Sequence, residues 1–308
     1  MSNVLTVKIG EVEFANPVWV ASGTFGNGEE FSDFLDLNKV GAIITKTVTL
    51  EQRTGNRVPR IIETASGLLN SIGLENKGMD RFKKDCMPFL RKLKTKIVIS
   101  IAGSTPEEFE QCVDMLQGDD APDAIEINLS CPNVSHKGAR YTLFAQDPAI
   151  TEKITASVKK RTKAAVITKL TPGVTDIGII ARAAENGGAD AVAMVNTYPA
   201  MAIDAHAMKP VLGNITGGLS GPAIKPLALK AVWDAFREVT IPIVGIGGIM
   251  NGLDAAEFIL AGATAVELGT ANLVDPTSYT RVLEEYAQYL REHKVANTND
   301  LIGKIRTE

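Results

Sequence analysis

A chain of 308 residues, 45% hydrophobic and 22% charged, is long and apolar enough to bury one large core. Its net charge of −4, with no Lys/Arg block or basic arm, excludes a general polyanion binder and argues against nucleic acid as a partner. Cys86, Cys112 and Cys131, with His136, His206 and His293, are too few and too scattered for a disulfide framework, a thiolate or zinc site, or a Ser-His-Asp triad.

The opening MSNVLTVKIGEVEF has no basic stretch followed by an apolar core, and no stretch approaches ~18 uninterrupted apolar residues. Neither export nor membrane spanning is expected, and a cytoplasmic location is. TVKIGEVEFANP (6–17) reads as a short hairpin ahead of the first long apolar run, placed to plug the bottom of a barrel. Eight short, β-branched apolar runs come next: PVWVASG (17–23), GAIITKTV (41–48), KIVISIAG (96–103), AIEINLS (124–130), AVITKLT (165–171), AVAMVNT (191–197), PIVGIGGI (242–249) and AVELGTA (265–271). Between them lie helical patterns: EEFSDFLDLN, TPEEFEQCVDMLQ, DPAITEKITASVKKR, TDIGIIARAAENGG, AIKPLALKAVWDAFREV and GLDAAEFILAG, with DPTSYTRVLEEYAQYLREH after the last. Several open on Asp, Thr or Pro and close on Asn or Gly, as helix caps prefer.

Near-continuous apolar strands alternating with helices imply a parallel sheet covered on its outside, and eight strands close a (β/α)8 TIM barrel, an α/β fold. A doubly wound open sheet is the alternative, but the glycine fingerprint of a dinucleotide half-unit is missing from the first strand-to-helix turn. The segment 50–80, LEQRTGNRVPRIIETASGLLNSIGLENKGMD, is too long for a plain connection and is expected to be an excursion with its own strands after strand 2. Long excursions at a barrel mouth shape sites. The whole chain, 1–308, reads as a single domain.

Catalytic residues of such barrels come from the C-terminal ends of the strands. Those ends carry Ser22, Lys46, Thr47, Ser100, Asn128, Cys131, Lys169, Asn196, Thr197, Gly247, Gly248, Gly269 and Thr270. A barrel strand has no edge, and burying an unpaired ammonium is costly, so Lys46 and Lys169 should each meet an anion, in a functional or a structural pair. Strands seven and eight end GIGGI and ELGTA, and GGLSGPAIKP (217–226) offers a third glycine-rich turn beside them. Barrels place a phosphate there, because small residues let backbone N–H groups approach its oxygens. Asn70, Asn76, Asn128, Asn133 and Asn196 fall at mouth positions, and converging amides suit a small planar ligand edged with amides and a carboxylate, such as a pyrimidine acid. In EINLSCPN the strand must stop at Cys131-Pro132, which stands the thiol among these polar groups as a base or nucleophile. Cys86 and Cys112 lie on helix-like apolar faces and read as inert. The stretch PNVSHKGARYTLF after Cys131 reads as a lid.

These motifs, from NPVWVASGTFG through ITKTVT, GNRVPRIIET, NSIGLEN, EINLSCPN, ITKLTP, VNT, GGLSGPAIKP, GIGGI and ELGTANL, resemble the class 1 dihydroorotate dehydrogenases over nearly the whole chain. Dihydropyrimidine dehydrogenase carries a similar barrel in a much longer chain with cysteine-rich domains. The resemblance implies oxidation of (S)-dihydroorotate to orotate on an FMN-bearing barrel, in de novo pyrimidine biosynthesis. Cys131 then takes the proton from C5 while hydride leaves C6 for flavin N5. Lys46, Asn70, Ser71, Ile72, Gly73, Leu74, Asn128, Asn133, Asn196 and Thr197 match the substrate pocket. Ser22, Lys46, Thr47, Ser100, Asn128, Lys169, Val195, Gly221, Gly247, Gly248, Gly269 and Thr270 match the FMN site, with Lys169 answering negative charge near N1–C2=O.

The stretch NTYPAMAIDAHAMKPVLGNITGGLSGPAIKP resembles class 1B, whose catalytic chains, as a homodimer core, pair with a subunit carrying FAD and a 2Fe–2S cluster that reduces NAD⁺, a heterotetramer. Class 1A homodimers use fumarate and typically show Ser where this chain has Thr197. Two other readings stand beside it: a flavin-free lyase with a Schiff base on Lys169, and a non-catalytic flavin-binding or assembly subunit.

Overall fold

Runs of Val, Ile and Ala that are apolar on both faces form strands only where both faces can be covered. In the computed structural model, which describes residues 4–129 and 144–306, eight such runs become strands. They are β1 (Val18–Val20), β2 (Ala42–Ile44), β3 (Lys96–Ile101), β4 (Ala124–Asn128), β5 (Ala165–Lys169), β6 (Ala191–Met194), β7 (Ile243–Ile246) and β8 (Ala265–Leu268). Each pairs in parallel with its neighbour in the chain, and β8 closes on β1. The expected (β/α)8 barrel is therefore present.

Alternate residues of a strand point to opposite faces, and the two core clusters divide on that parity. Ile43, Ile97, Ile99, Ile125, Ile127 and Val166 point outward and pack with the helices. Trp19, Ala42, Ile44, Val98, Ala124, Ile167, Val244 and Ile246 point inward, where they meet Val7, Ile9 and Phe14. Those three come from the expected hairpin, Val7–Ile9 against Val12–Phe14. Phe14 and Trp19 sit with ring centroids 4.4 Å apart, so the bottom of the barrel is filled by apolar side chains. Whatever polar chemistry the interior holds must lie above that filling.

The covering helices form where caps and period agree. Thr105 accepts from Glu108 N–H to open Pro106–Asp114, Asp147 accepts from two N–H groups to open Pro148–Lys159, and Asn251 with Asp254 makes a capping box for Gly252–Ala261. Ile177–Asn186, Lys225–Phe236 and Ser278–Glu292 complete the expected set. EEFSDFLDLN departs from expectation. It makes only the 3₁₀ turns Glu29–Phe31 and Leu37–Lys39, because Asp36 accepts from Asn38 N–H and bends the chain locally instead of continuing a helix. Met79–Asp85, Met87–Leu90 and Thr270–Val274 are helices that the pattern does not announce. No helix of the described residues is long and apolar enough to cross a membrane.

The excursion after β2 does carry strands, Ile61–Thr64 and Gly67–Asn70, but they do not stand alone. Thr216–Ser220 and Tyr198–Met201, from the connection after β6, extend them into a four-stranded antiparallel sheet at the mouth. This corrects the reading of GGLSGPAIKP as a turn: Gly217–Ser220 is strand, and the turn is at Gly221. A Cβ on Gly217 would lie 2.5 Å from Asn70 O, and one on Gly218 only 1.9 Å from Thr197 Oγ1. The glycines are there so that neighbouring strands can close in.

Candidate active site

Above the apolar filling, the next inward positions are polar. Ser100 of β3, Glu126 of β4, Lys169 of β5 and Glu267 of β8 are all buried, and contacts join them into one chain. Ser22 Oγ lies 3.0 Å from Thr47 Oγ1, which lies 2.9 Å from Ser100 Oγ. Ser100 Oγ donates to Glu126 Oε1 at 2.9 Å, and Lys169 Nζ donates to Glu126 Oε2 at 3.2 Å and to Glu267 Oε2 at 3.3 Å. Asn128 Nδ2 joins at Thr47 Oγ1, 3.3 Å away. The ends of β1 to β5 and of β8 thus contribute to a continuous polar network at the floor of the mouth.

Lys169 meets an anion, as a buried lysine must, but it meets two, and both are carboxylates of the chain. Burial lowers its pKa, yet Glu126 and Glu267 outweigh that and raise it to about 12, so the ammonium form is fixed. Glu267 is shifted upward, chiefly by burial and by the Glu126 charge, against the pull of Lys169. Neither carboxylate is among the residues singled out from the sequence. The signal is there: Glu inside AIEINLS and inside AVELGTA is as incompatible with an edgeless strand as the lysines are.

Lys46 behaves differently. It has no ion-pair partner within 4 Å among the described residues; burial depresses its pKa, offset by Glu75 and reinforced by Arg60. Its backbone N–H donates to Gly26 O at 2.9 Å, which anchors the β2 end.

The substrate-pocket candidates Asn70 to Leu74 form a braced loop. Asn56 Nδ2 donates to Ser71 O at 3.2 Å and to Ser71 Oγ at 3.0 Å, and Asn56 N–H donates to Ile72 O at 3.0 Å. Gly73 and Leu74 come next with φ of 78° and 55°, and Asn76 Nδ2 holds Leu74 O at 2.8 Å. A left-handed leucine costs about 1–2 kcal/mol, so this bracing maintains a backbone the sequence does not favour. Asn76 itself accepts from Gly78 N–H and donates to Thr49 Oγ1, which makes it the turn former of the group rather than a ligand amide. Asn70 Nδ2 reaches Gly218 O at 3.4 Å, and Thr197 crowds the same glycine, so Asn70 and Thr197 both border Gly218 in the mouth sheet. Asn196 sits at the β6 end, its Oδ1 accepting from Thr197 N–H at 2.7 Å, beside buried Val195. Cys131 and Asn133 lie outside the described residues, as does most of the expected lid.

The third group is a cradle of small residues. Gly221, Gly247 and Gly248 have φ of 90°, 132° and 76°, where only glycine sits without strain. A Cβ on Gly248 would lie 2.8 Å from Gly221 O, and one on Gly221 2.8 Å from Gly67 Cα and 3.4 Å from Thr270 Cγ2. Thr270 Oγ1 donates to Ser220 Oγ at 2.8 Å, so the ends of β7 and β8 and the Gly221 turn come together. Gly269 has room for a side chain, and Ser220 is a further hydroxyl that sequence reasoning misses. Hydroxyls and amides flanking a buried cation, next to a glycine cradle, can hold a polar ring system and an anionic tail.

The family model "Dihydroorotate dehydrogenase" matches residues 4–290. Relatives named "Dihydroorotate dehydrogenase B (NAD(+)), catalytic subunit" include one from Desulforamulus reducens, 50% identical over 97% of this chain and 97% of its own length. Another, from Alkaliphilus oremlandii, is 48% identical over 97% of this chain and 98% of its own, and one from Trichlorobacter lovleyi is 47% identical over 99% of each.

Proposed function

The chain belongs to the dihydroorotate dehydrogenase family, and on that premise we propose that it is the catalytic chain of an NAD⁺-linked enzyme oxidising (S)-dihydroorotate to orotate. The observation that carries this is near-identical length and about half-identity with B-type catalytic subunits. The network and cradle at the strand ends support it with a chemistry to match.

The cradle fits FMN. Gly221, Gly247 and Gly248 hold φ values that only glycine takes without strain, in turns packed tightly against one another and Lys225; their backbone N–H groups would hold the phosphate, and Ser220 and Thr270 add hydroxyls. Ser22, Thr47, Ser100 and Asn128 offer hydroxyl and amide groups for the ring, with Lys169 linked to Ser100 through Glu126. FMN held there would supply the acceptor for the hydride that leaves C6.

The chain's own residues do the rest. Cys131 as thiolate removes the C5 proton. Asn70, Asn128, Asn133 and Asn196 hold the amide edges, joined by Thr197 and the braced backbone of Ser71 to Leu74. Lys46, lacking an ion pair among the described residues, faces the substrate carboxylate. Lys169 would offer its fixed positive charge to N1–C2=O of the ring, the protein's lever on flavin electronics. The same fixed charge speaks against a Schiff-base lyase, which needs a free amine.

The word "subunit" in the relatives' names supports a partner chain. We assign to it FAD and a 2Fe–2S cluster, docked on a homodimer of this chain in the cytoplasm, rather than a fumarate-linked homodimer of class 1A. The test is Cys131→Ser: FMN is retained and its reduction by dihydroorotate slows by orders of magnitude at neutral pH, since a hydroxyl is a far poorer base. Near-normal reduction would refute the role of Cys131.

A further inference from the structure

Three buried ionisable groups share the barrel interior, and their charges do not balance. With Glu126 and Glu267 both ionised against one lysine, the trio is a net anion in a water-poor interior, which is costly. The two carboxylates are not equally provided for. Glu126 accepts at both oxygens, from Ser100 Oγ at 2.9 Å and from Lys169 Nζ at 3.2 Å. Glu267 accepts only at Oε2, 3.3 Å from Lys169; its Oε1 is fully buried with no partner among the described residues. Hydrogen bonds favour the charged form of a carboxyl, so the lone proton belongs on Glu267.

The charged groups facing Glu267 are Lys169 from β5 and Glu126 from β4. The flanking strands β1 and β7 bring Trp19 and Ile246 to it in register, and β3 brings the Ser100 hydroxyl to Glu126. Lys46, at the end of β2, has Glu75 and Arg60 as its charged neighbours instead. Glu267 therefore answers to Lys169 and Glu126 alone among the described residues.

From this geometry we infer that Glu267 is a positioning residue which, through Lys169, sets the charge presented to the flavin and couples it to pH. This rests on the reading of Lys169 as the partner of N1–C2=O. Protonated, Glu267 leaves Lys169 and Glu126 as a balanced pair. Ionised, it adds a negative charge beside Lys169 and opposes electron arrival. Burial and the Glu126 charge, which raise the pKa of Glu267, bring that change toward working pH.

The test is the midpoint potential of FMN on the intact chain, by equilibration with redox dyes between about pH 6 and 9. Glu267→Gln should match the wild type at acid pH and lie above it at alkaline pH, with a shallower pH dependence. Glu267→Met, equally uncharged, should do the same if the amide disturbs packing. Lys169→Met, made in the Glu267→Gln background to avoid facing carboxylates, should lower the potential. If that change lowers the potential while wild type and both Glu267 variants superpose at every pH, the inference fails and the Lys169 reading stands. If removing Lys169 changes nothing, both fail.

Discussion

Lys169 Nζ on β5 lies 3.3 Å from Glu267 Oε2 on β8, a contact across the barrel interior between strands with β6 and β7 between them. Together with the Glu126 contact it ties three strands at one level, above the Trp19 and Phe14 filling. Removing one partner of a buried ionic group is far more damaging than its net contribution, because the others remain without compensation.

Lys169→Met should accordingly destabilise the chain by about 3–5 kcal/mol, leaving two buried carboxylates in contact. Urea denaturation would show a lowered midpoint, partly restored by adding Glu267→Gln. A single substitution without loss would mean that the ammonium is not the group holding the carboxylates.

The pH dependence of stability has a definite sign. Glu267 is raised from 4.5 in the unfolded chain to about 8 in the fold, so between those values the folded chain binds the extra proton. Stability from this group is full below pH 4.5 and is lost as pH rises toward about 8. Denaturation across that window should therefore show Glu267→Gln gaining on the wild type as pH increases. Parallel curves would contradict it.

Gly248→Ala should lose FMN. A Cβ there lies 2.8 Å from Gly221 O and 2.9 Å from Lys225 N, at a φ of 76°. The left-handed conformation alone costs about 1–2 kcal/mol. The flavin-to-protein ratio after gel filtration should fall well below that of the wild type, with the far-ultraviolet circular dichroism intact. Full retention would move the phosphate elsewhere.

The barrel was legible because its strands are apolar on both faces and its helices are capped in sequence, as at Thr105 and Asp147. Lys169, the hydroxyls and the glycine ends could be read from their place at the C-terminal ends of the strands. Glu126 and Glu267 stand in the same runs without being selected, although the argument that selects lysine applies equally to a carboxylate. The mouth sheet was not legible. Its pairing joins Gly67–Asn70 to Thr216–Ser220, about 150 residues apart in the chain, and no local pattern encodes such a partner. Glycines that read as a turn are instead a strand under close approach by Asn70 and Thr197.

That close approach gives its own test. Gly218→Ala would drive a Cβ into Thr197 Oγ1 and part Thr197 from the Thr216–Ser220 strand, which Asn70 borders on its other side. The KM for dihydroorotate should rise about tenfold, roughly 1.4 kcal/mol of binding, with FMN content unchanged. An unaltered KM would remove Thr197 and Asn70 from the pocket.

The central claim is that this chain takes electrons from dihydroorotate and needs a partner to deliver them to NAD⁺. The purified chain should be mixed anaerobically with dihydroorotate and followed at the flavin absorbance, with fumarate, NAD⁺, and finally NAD⁺ with the partner subunit added in turn. The account predicts bleaching that neither fumarate nor NAD⁺ alone reverses and that NAD⁺ with the partner does. Recovery with fumarate alone would make the chain a self-sufficient enzyme, and no bleaching at all would contradict the assignment of the site.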